Sequence, residues 1–110
     1  MAREEFPAAA KEALAKRVGY RCSNPSCGVQ TVGPHTSASK FANIGVASHI
    51  SAASHGGPRY EPNLIPDQRT SVDNGIWLCQ SCAKLIDSDT QKYAVAVLVQ
   101  WKVEAEARAT

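Results

Sequence analysis

Between residues 7 and 18 the chain is rich in Ala, Lys and Glu, and Leu14 and Val18 stand one helical turn apart, a pattern that predicts a helix. Pro7 suits a first helical position and Gly19 suits a stop. Residues 29–41 hold Gly33, Pro34 and several serines and threonines without a period, and are expected to be loop. Residues 43–50, Asn-Ile-Gly-Val-Ala-Ser-His-Ile, read as a short strand ending at a histidine. Residues 51–73 contain Gly56-Gly57-Pro58, Pro62 and Pro66 and predict a long irregular segment. A loop of that length in a small domain tends to be functional. Residues 75–78 form a second apolar strand, Cys79 to Cys82 a knuckle, and a helix is expected from Ala83. In residues 92–108, Leu98, Trp101 and Ala105 recur at helical spacing, with Trp101 expected to anchor this last helix against the first.

At 110 residues the chain fits one domain, with a core about residues 17–101, and a fold this small gains from a metal staple. The composition, 44% hydrophobic and 20% charged, is ordinary for a globular protein. The ending Glu-Ala-Glu-Ala-Arg-Ala-Thr is still helical in pattern, as expected of a chain cut from a longer protein. A net charge of +2 does not by itself argue for nucleic acid. The local run of Lys11, Lys16, Arg17 and Arg21 reads equally as a solvated helix face and as an anion contact. No apolar stretch approaches the roughly 18 residues of a membrane span. Arg3, Glu4 and Glu5 stand where a signal peptide would be apolar, so the expected location is the cytoplasm, without a membrane partner.

That location bears on the cysteines. Cys22 and Cys27 have four residues between them, and Cys79 and Cys82 have two. In a reducing compartment such hooks read as metal ligands before they read as crosslinks. Two of them make a closed four-sulfur site, the arrangement of structural zinc, with no open position for catalysis. A redox pair at Cys79 and Cys82 lacks the surrounding βαβ pattern, and four unrelated thiols are the remaining alternative.

Chemistry must then come from other residues. Gly33-Pro-His35, the segment 43–50 with His49, Gly56-Gly-Pro-Arg59-Tyr60, and Asn74-Gly-Ile-Trp-Leu-Cys79 with Cys82 occur in an order that resembles the HNH nuclease family. They are similar in particular to the HNH domains of bacterial anti-phage effectors. The resemblance runs from about Arg17 to Trp101. It implies an α+β fold: a ββα-metal core with N- and C-terminal flanking helices and a structural zinc. It implies hydrolysis of phosphodiester bonds in double-stranded DNA. His49 would be the general base, Asn74 the residue that orients it, and a single Mg²⁺ ion the catalytic cofactor. It further implies a fused C-terminal sensor domain for a cyclic oligonucleotide and homo-oligomerisation on activation.

Two positions depart from the family. The third histidine of the motif is replaced by Ala83, and Ser48 stands where many relatives carry an acidic ligand. Asp87, one helical turn past Ala83, is the expected replacement metal ligand, with Asp89 behind it. A helix-capping Asp87, and a copy without activity, are the alternatives. In the loop, Arg59 is a candidate fork donor to phosphate. His55 is a candidate substrate contact or solvent-facing loop residue, and His35 reads as structural. No helix rich in Arg, Asn and Gln is present to read a groove, so sequence specificity is expected to be low. The rival readings are a non-catalytic zinc-ribbon module, which needs the cysteines but not His49, and an oligomerisation scaffold carried by Leu98 and Trp101.

Overall fold

The computed structural model describes residues 5–52 and 54–110. Helix α1 spans Ala8–Arg17, with Pro7 as its N-cap and Val18 as its C-cap. A hairpin of two short strands follows, β1 (Val32–Pro34) and β2 (Phe41–Asn43). Strand β3 (Gly45–His49) pairs antiparallel with β4 (Gly75–Cys79), and β4 runs directly into α3 (Gln80–Ser88). Between β3 and β4 lie a short helix α2 (Pro66–Arg69) and a 3₁₀ turn at Val72–Asn74. The chain closes with α4 (Val95–Ala109). The result is a small α+β fold.

The register of the β3–β4 pair decides which side chains share a face. Ser48 lies opposite Ile76 and Val46 opposite Leu78, while His49 lies opposite Gly75 and Ala47 opposite Trp77. Successive strand residues point to opposite faces. Ile76 and Leu78 pack with Ile86 of α3, Leu98 of α4 and Tyr93 in one buried cluster. Trp77 packs on the other face with Leu14 and Ala15 of α1, its C-cap Val18, and Ala105 of α4. The two-stranded sheet is thus sandwiched between α3 and α1. Gly45 is required at its edge, because a methyl group there would overlap the Trp77 indole.

Helix α4 is tied in at two places. Lys102 donates its ammonium to the carbonyls of Val72 at 2.7 Å and Gly75 at 2.6 Å, and burial pushes its pKa below the ordinary lysine value. Arg17 of α1 forms a fork with Glu106 at 2.8 and 3.0 Å.

Several expectations need correction. Residues 29–41 are not simply loop, since they contain β1 and begin β2; the hairpin is exposed and so carries no buried alternation. Residues 51–73 include α2 and most of the 3₁₀ turn. Helix α3 begins at Gln80 rather than Ala83, because Cys79 is its N-cap. Trp101 packs edge-on against Tyr93 with ring centroids 5.5 Å apart, in the α3-side cluster. Ala105, one turn later, is the residue that meets α1. Among the described residues no helix is long and apolar enough to cross a membrane.

Candidate metal centre and adjoining groove

The first cysteine hook is shaped by Asn24. Its side-chain oxygen accepts from the Ser26 N–H at 2.9 Å, and its carbonyl accepts from the N–H groups of Cys27 and Gly28. Gly28 closes the turn with φ of 66°, a left-handed conformation that glycine adopts without steric cost. Ser23 N–H donates to the Trp77 carbonyl at 3.0 Å, which fastens this hook to β4. The second hook is a helix cap: Cys79 precedes α3, and its Sγ accepts from the Cys82 N–H at 3.4 Å. The two hooks meet. The four sulfurs of Cys22, Cys27, Cys79 and Cys82 lie within 4.8 Å of one another, with Cys27 and Cys79 4.0 Å apart.

A tetrahedral zinc–sulfur site with bonds of about 2.3 Å has sulfurs about 3.8 Å apart, so the tetrad fits a structural ion with a slight contraction. Cys22, Cys79 and Cys82 are buried and Cys27 is exposed. Burial holds the Cys22 and Cys82 thiols above the ordinary cysteine pKa. Cys79 is also opposed by burial, but hydrogen bonds from the Cys82 backbone and the neighbouring thiols outweigh it and lower its pKa. This sulfur therefore ionises more readily than its neighbours, and it sits at a helix N-terminus, where the dipole favours negative charge. The others deprotonate when a cation replaces their protons.

A groove of about 560 Å³ runs between α3 and the loop after β3, lined among others by Ser48, His49, Ala83, Lys84 and Asp87. On α3, residues 83, 84 and 87 share one face by helical spacing. Lys84 was not singled out from the sequence, though its position three residues before Asp87 marks it as a neighbour on that face. Ser48 faces α3 by strand parity. His49 faces the α1 side, and its ring stacks on Phe6 with centroids 4.1 Å apart at an interplanar angle of 16°. His49 is 6% exposed, and both ring nitrogens are buried.

Asn74 is a clamp on the chain just past His49. Its side-chain oxygen accepts from Ser51 N–H at 2.9 Å, and its amide donates to the carbonyls of Ser51 at 3.0 Å and Arg69 at 3.1 Å. Its own carbonyl accepts from Ile50 N–H at 2.8 Å. Replacing Asn74 by alanine leaves buried backbone groups without partners. The expected cost is about 2–4 kcal/mol of stability, read by urea unfolding. A loss under 0.5 kcal/mol would show that the loop holds itself.

The remaining candidates separate. Arg59 is not an open fork for phosphate: its side chain is 4% exposed. Its donors reach the carbonyls of Ile50 at 2.7 Å, Ile86 at 2.9 Å and His49 at 3.5 Å, and Asp87 Oδ1 at 2.9 Å. These bonds sustain its left-handed φ of 57°, and they fix the Asp87 carboxylate on the groove wall. Asp87 itself remains 50% exposed. Asp89 instead caps the turn after α3, accepting from Lys92 N–H at 3.1 Å. His55 is exposed, and its ring meets Tyr60 edge-on at 5.4 Å. His35 accepts from Ser37 N–H at 2.9 Å in the hairpin turn.

No protein-family model matches this chain, and no curated protein is found to be similar to it.

Proposed function

We propose that the chain is an HNH-type nuclease domain with a ββα-metal core, in which β3, β4 and α3 are the ββα unit and the cysteine tetrad holds zinc. Its reaction is hydrolysis of phosphodiester bonds in double-stranded DNA with little sequence preference. Its setting is the effector part of a longer anti-phage protein. The observation that supports this reading best is a convergence on one groove. The strand-end His49 and the α3 residues Asp87 and Lys84 line it, while Asn74, outside the groove, clamps the chain just past His49.

The groove also suits a hard cation, which takes oxygen ligands. The Asp87 carboxylate and the Ser48 hydroxyl supply oxygens on the α3 side, and Ala83 contributes none. Mg²⁺ held there would offset the charge that develops on the leaving oxygen. Lys84 would attract the phosphate, Arg59 holds Asp87 in place, and Asn74 keeps the His49 backbone fixed. His49 would take the proton from the attacking water once its ring turns to bring a nitrogen, buried here, to the groove. Affinity for DNA would rest on phosphate contacts and weaken with salt.

A second reading, a zinc-stapled binding module without catalysis, is favoured by the buried nitrogens of His49 and by Ala83. Supercoiled plasmid incubated with zinc-loaded protein distinguishes the two. The nuclease reading expects nicking that requires added Mg²⁺. It also expects Asp87→Asn, which keeps an oxygen for Arg59, to slow nicking by about 10- to 100-fold. Cleavage that is indifferent to Mg²⁺ and to the substitution would overturn the proposed mechanism. Retained DNA binding without any cleavage would favour the second reading.

A further inference from the structure

The cysteine tetrad is unevenly covered. Cys22, Cys79 and Cys82 are at most 7% exposed, while Cys27 is open to solvent. The chain path explains the difference. The first hook runs through the core at Cys22, Ser23 and Asn24 and leaves it at Pro25, so Pro25, Ser26 and Cys27 face solvent. The turn is held there by the Cys27 and Gly28 N–H groups, which donate to the Asn24 carbonyl at 2.9 and 3.0 Å. The second hook lies where β4 enters α3, and both of its sulfurs are inside. Across the hooks, the exposed Cys27 Sγ lies 4.0 Å from the buried Cys79 Sγ.

A sulfur open to solvent with a second sulfur directly behind it is the arrangement of a thiol that is oxidised and then resolved. A site closed by four sulfurs has no open position on its ion, so a small oxidant from solvent meets sulfur first. Burial keeps it from three of the four, which leaves Cys27. The neighbour that can answer is Cys79, the N-cap of α3, whose Sγ already accepts the Cys82 N–H at 3.4 Å. To bond, the two sulfurs close by about 2 Å.

We propose that Cys27 is an oxidation site for hydrogen peroxide, and that Cys79 resolves it into a disulfide that takes the place of the metal. The Cys27 sulfur attacks one peroxide oxygen; the O–O bond breaks, the other oxygen takes up a proton and leaves as water, and Cys27 becomes a sulfenic acid. The Cys79 sulfur then attacks the Cys27 sulfur; the S–S bond forms, the S–O bond breaks, and the oxygen leaves as a second water. Each sulfur gives up one electron and the peroxide takes both. Cys22 and Cys82 alone cannot close a four-ligand site, so zinc is released. The new bond joins the same two segments that the metal joins, whereas a bond within either hook would let them part. The inference rests on the zinc part of the proposed function and not on cleavage.

Zinc-loaded protein treated with hydrogen peroxide tests it, with released zinc read by a coloured chelator and bonds read by non-reducing peptide mapping. Zinc release should accompany a Cys27–Cys79 disulfide, and dithiothreitol with added zinc should reverse both. Dimedone added with the peroxide should tag Cys27 before the three buried cysteines. Cys27→His keeps a closed set of three sulfurs and one nitrogen, and should slow peroxide-driven zinc release by about 10-fold or more. Zinc retained under peroxide, release from Cys27→His at the original rate, a first tag on a buried cysteine, or disulfides confined to Cys22–Cys27 or Cys79–Cys82 would each overturn the proposal. Should the histidine variant take up no zinc, the tag and the peptide map of the unsubstituted protein decide. Zinc content before treatment reports separately on the zinc reading; in a protein that loads none, that reading fails and the map still decides the Cys27–Cys79 bond.

Discussion

Replacing Cys82 by serine should strip the chain of its metal and of its cooperative fold. The tetrad joins sequence segments 52 residues apart, with the Cys27 and Cys79 sulfurs 4.0 Å from each other. Hydrogen bonds add to the join: Ser23 N–H to the Trp77 carbonyl at 3.0 Å and the Asn24 amide to Cys82 Sγ at 3.5 Å. The second of these is lost with the sulfur. Structural zinc in small peptides is worth about 10–16 kcal/mol near neutral pH, while a whole domain is stable by about 5–15 kcal/mol. Losing one ligand from a closed site therefore removes an amount comparable to the total. Burial opposes charge at Cys22 and Cys82, so without metal these thiols stay protonated and the cluster offers little cohesion of its own. Metal analysis should read one zinc per unsubstituted chain and none in Cys82→Ser. The thermal transition should fall by more than about 15 °C or vanish. An unsubstituted protein that carries no metal, with a variant melting at the same temperature, would mean that the sulfurs merely pack.

The parts of this fold that were legible in the sequence are those with a local physical cause. Helix α1 is bounded by Pro7 and Gly19 as its composition suggests, and β3 and β4 fall on the two short apolar runs. The cysteine hooks were legible because two turns with paired thiols have few other uses. What escaped depends on partners far along the chain. Arg59 looks like a free donor in a glycine-rich loop, yet its acceptors are carbonyls of Ile50 and Ile86 and the carboxylate of Asp87. No local pattern announces that. The direction of His49 follows from its register opposite Gly75, which a sequence reading of the two strands does not supply. Gly75 in turn is needed there because a Cβ would strike Leu14 and crowd the Phe6 ring. Phe6 drew no notice because it precedes the helix, and only the packing places it against the histidine.

That contact shapes the second large effect. His49→Ala should abolish cleavage, since a positioned general base contributes about 10²- to 10⁴-fold. The buried ring also supports Phe6, so alanine should cost some stability as well, and a melting curve must accompany the assay. A fold-damaging loss and a chemical loss are separated by zinc content and the cooperative melting transition, both of which should persist in His49→Ala if the tetrad stays in place. Phe6→Ala supplies the complementary test. It removes a core ring that is 3% exposed and should cost about 3–5 kcal/mol of stability, but in the molecules that stay folded it frees the imidazole to turn, so nicking should rise severalfold if the position of His49 limits the reaction. The double variant should be as inactive as His49→Ala alone. If Phe6→Ala raises nicking even without His49, the proton acceptor lies elsewhere in the groove. If His49→Ala cuts plasmid at the original rate, the strand-end histidine is a packing residue, and its stack on Phe6 is a core contact rather than a cover over a base.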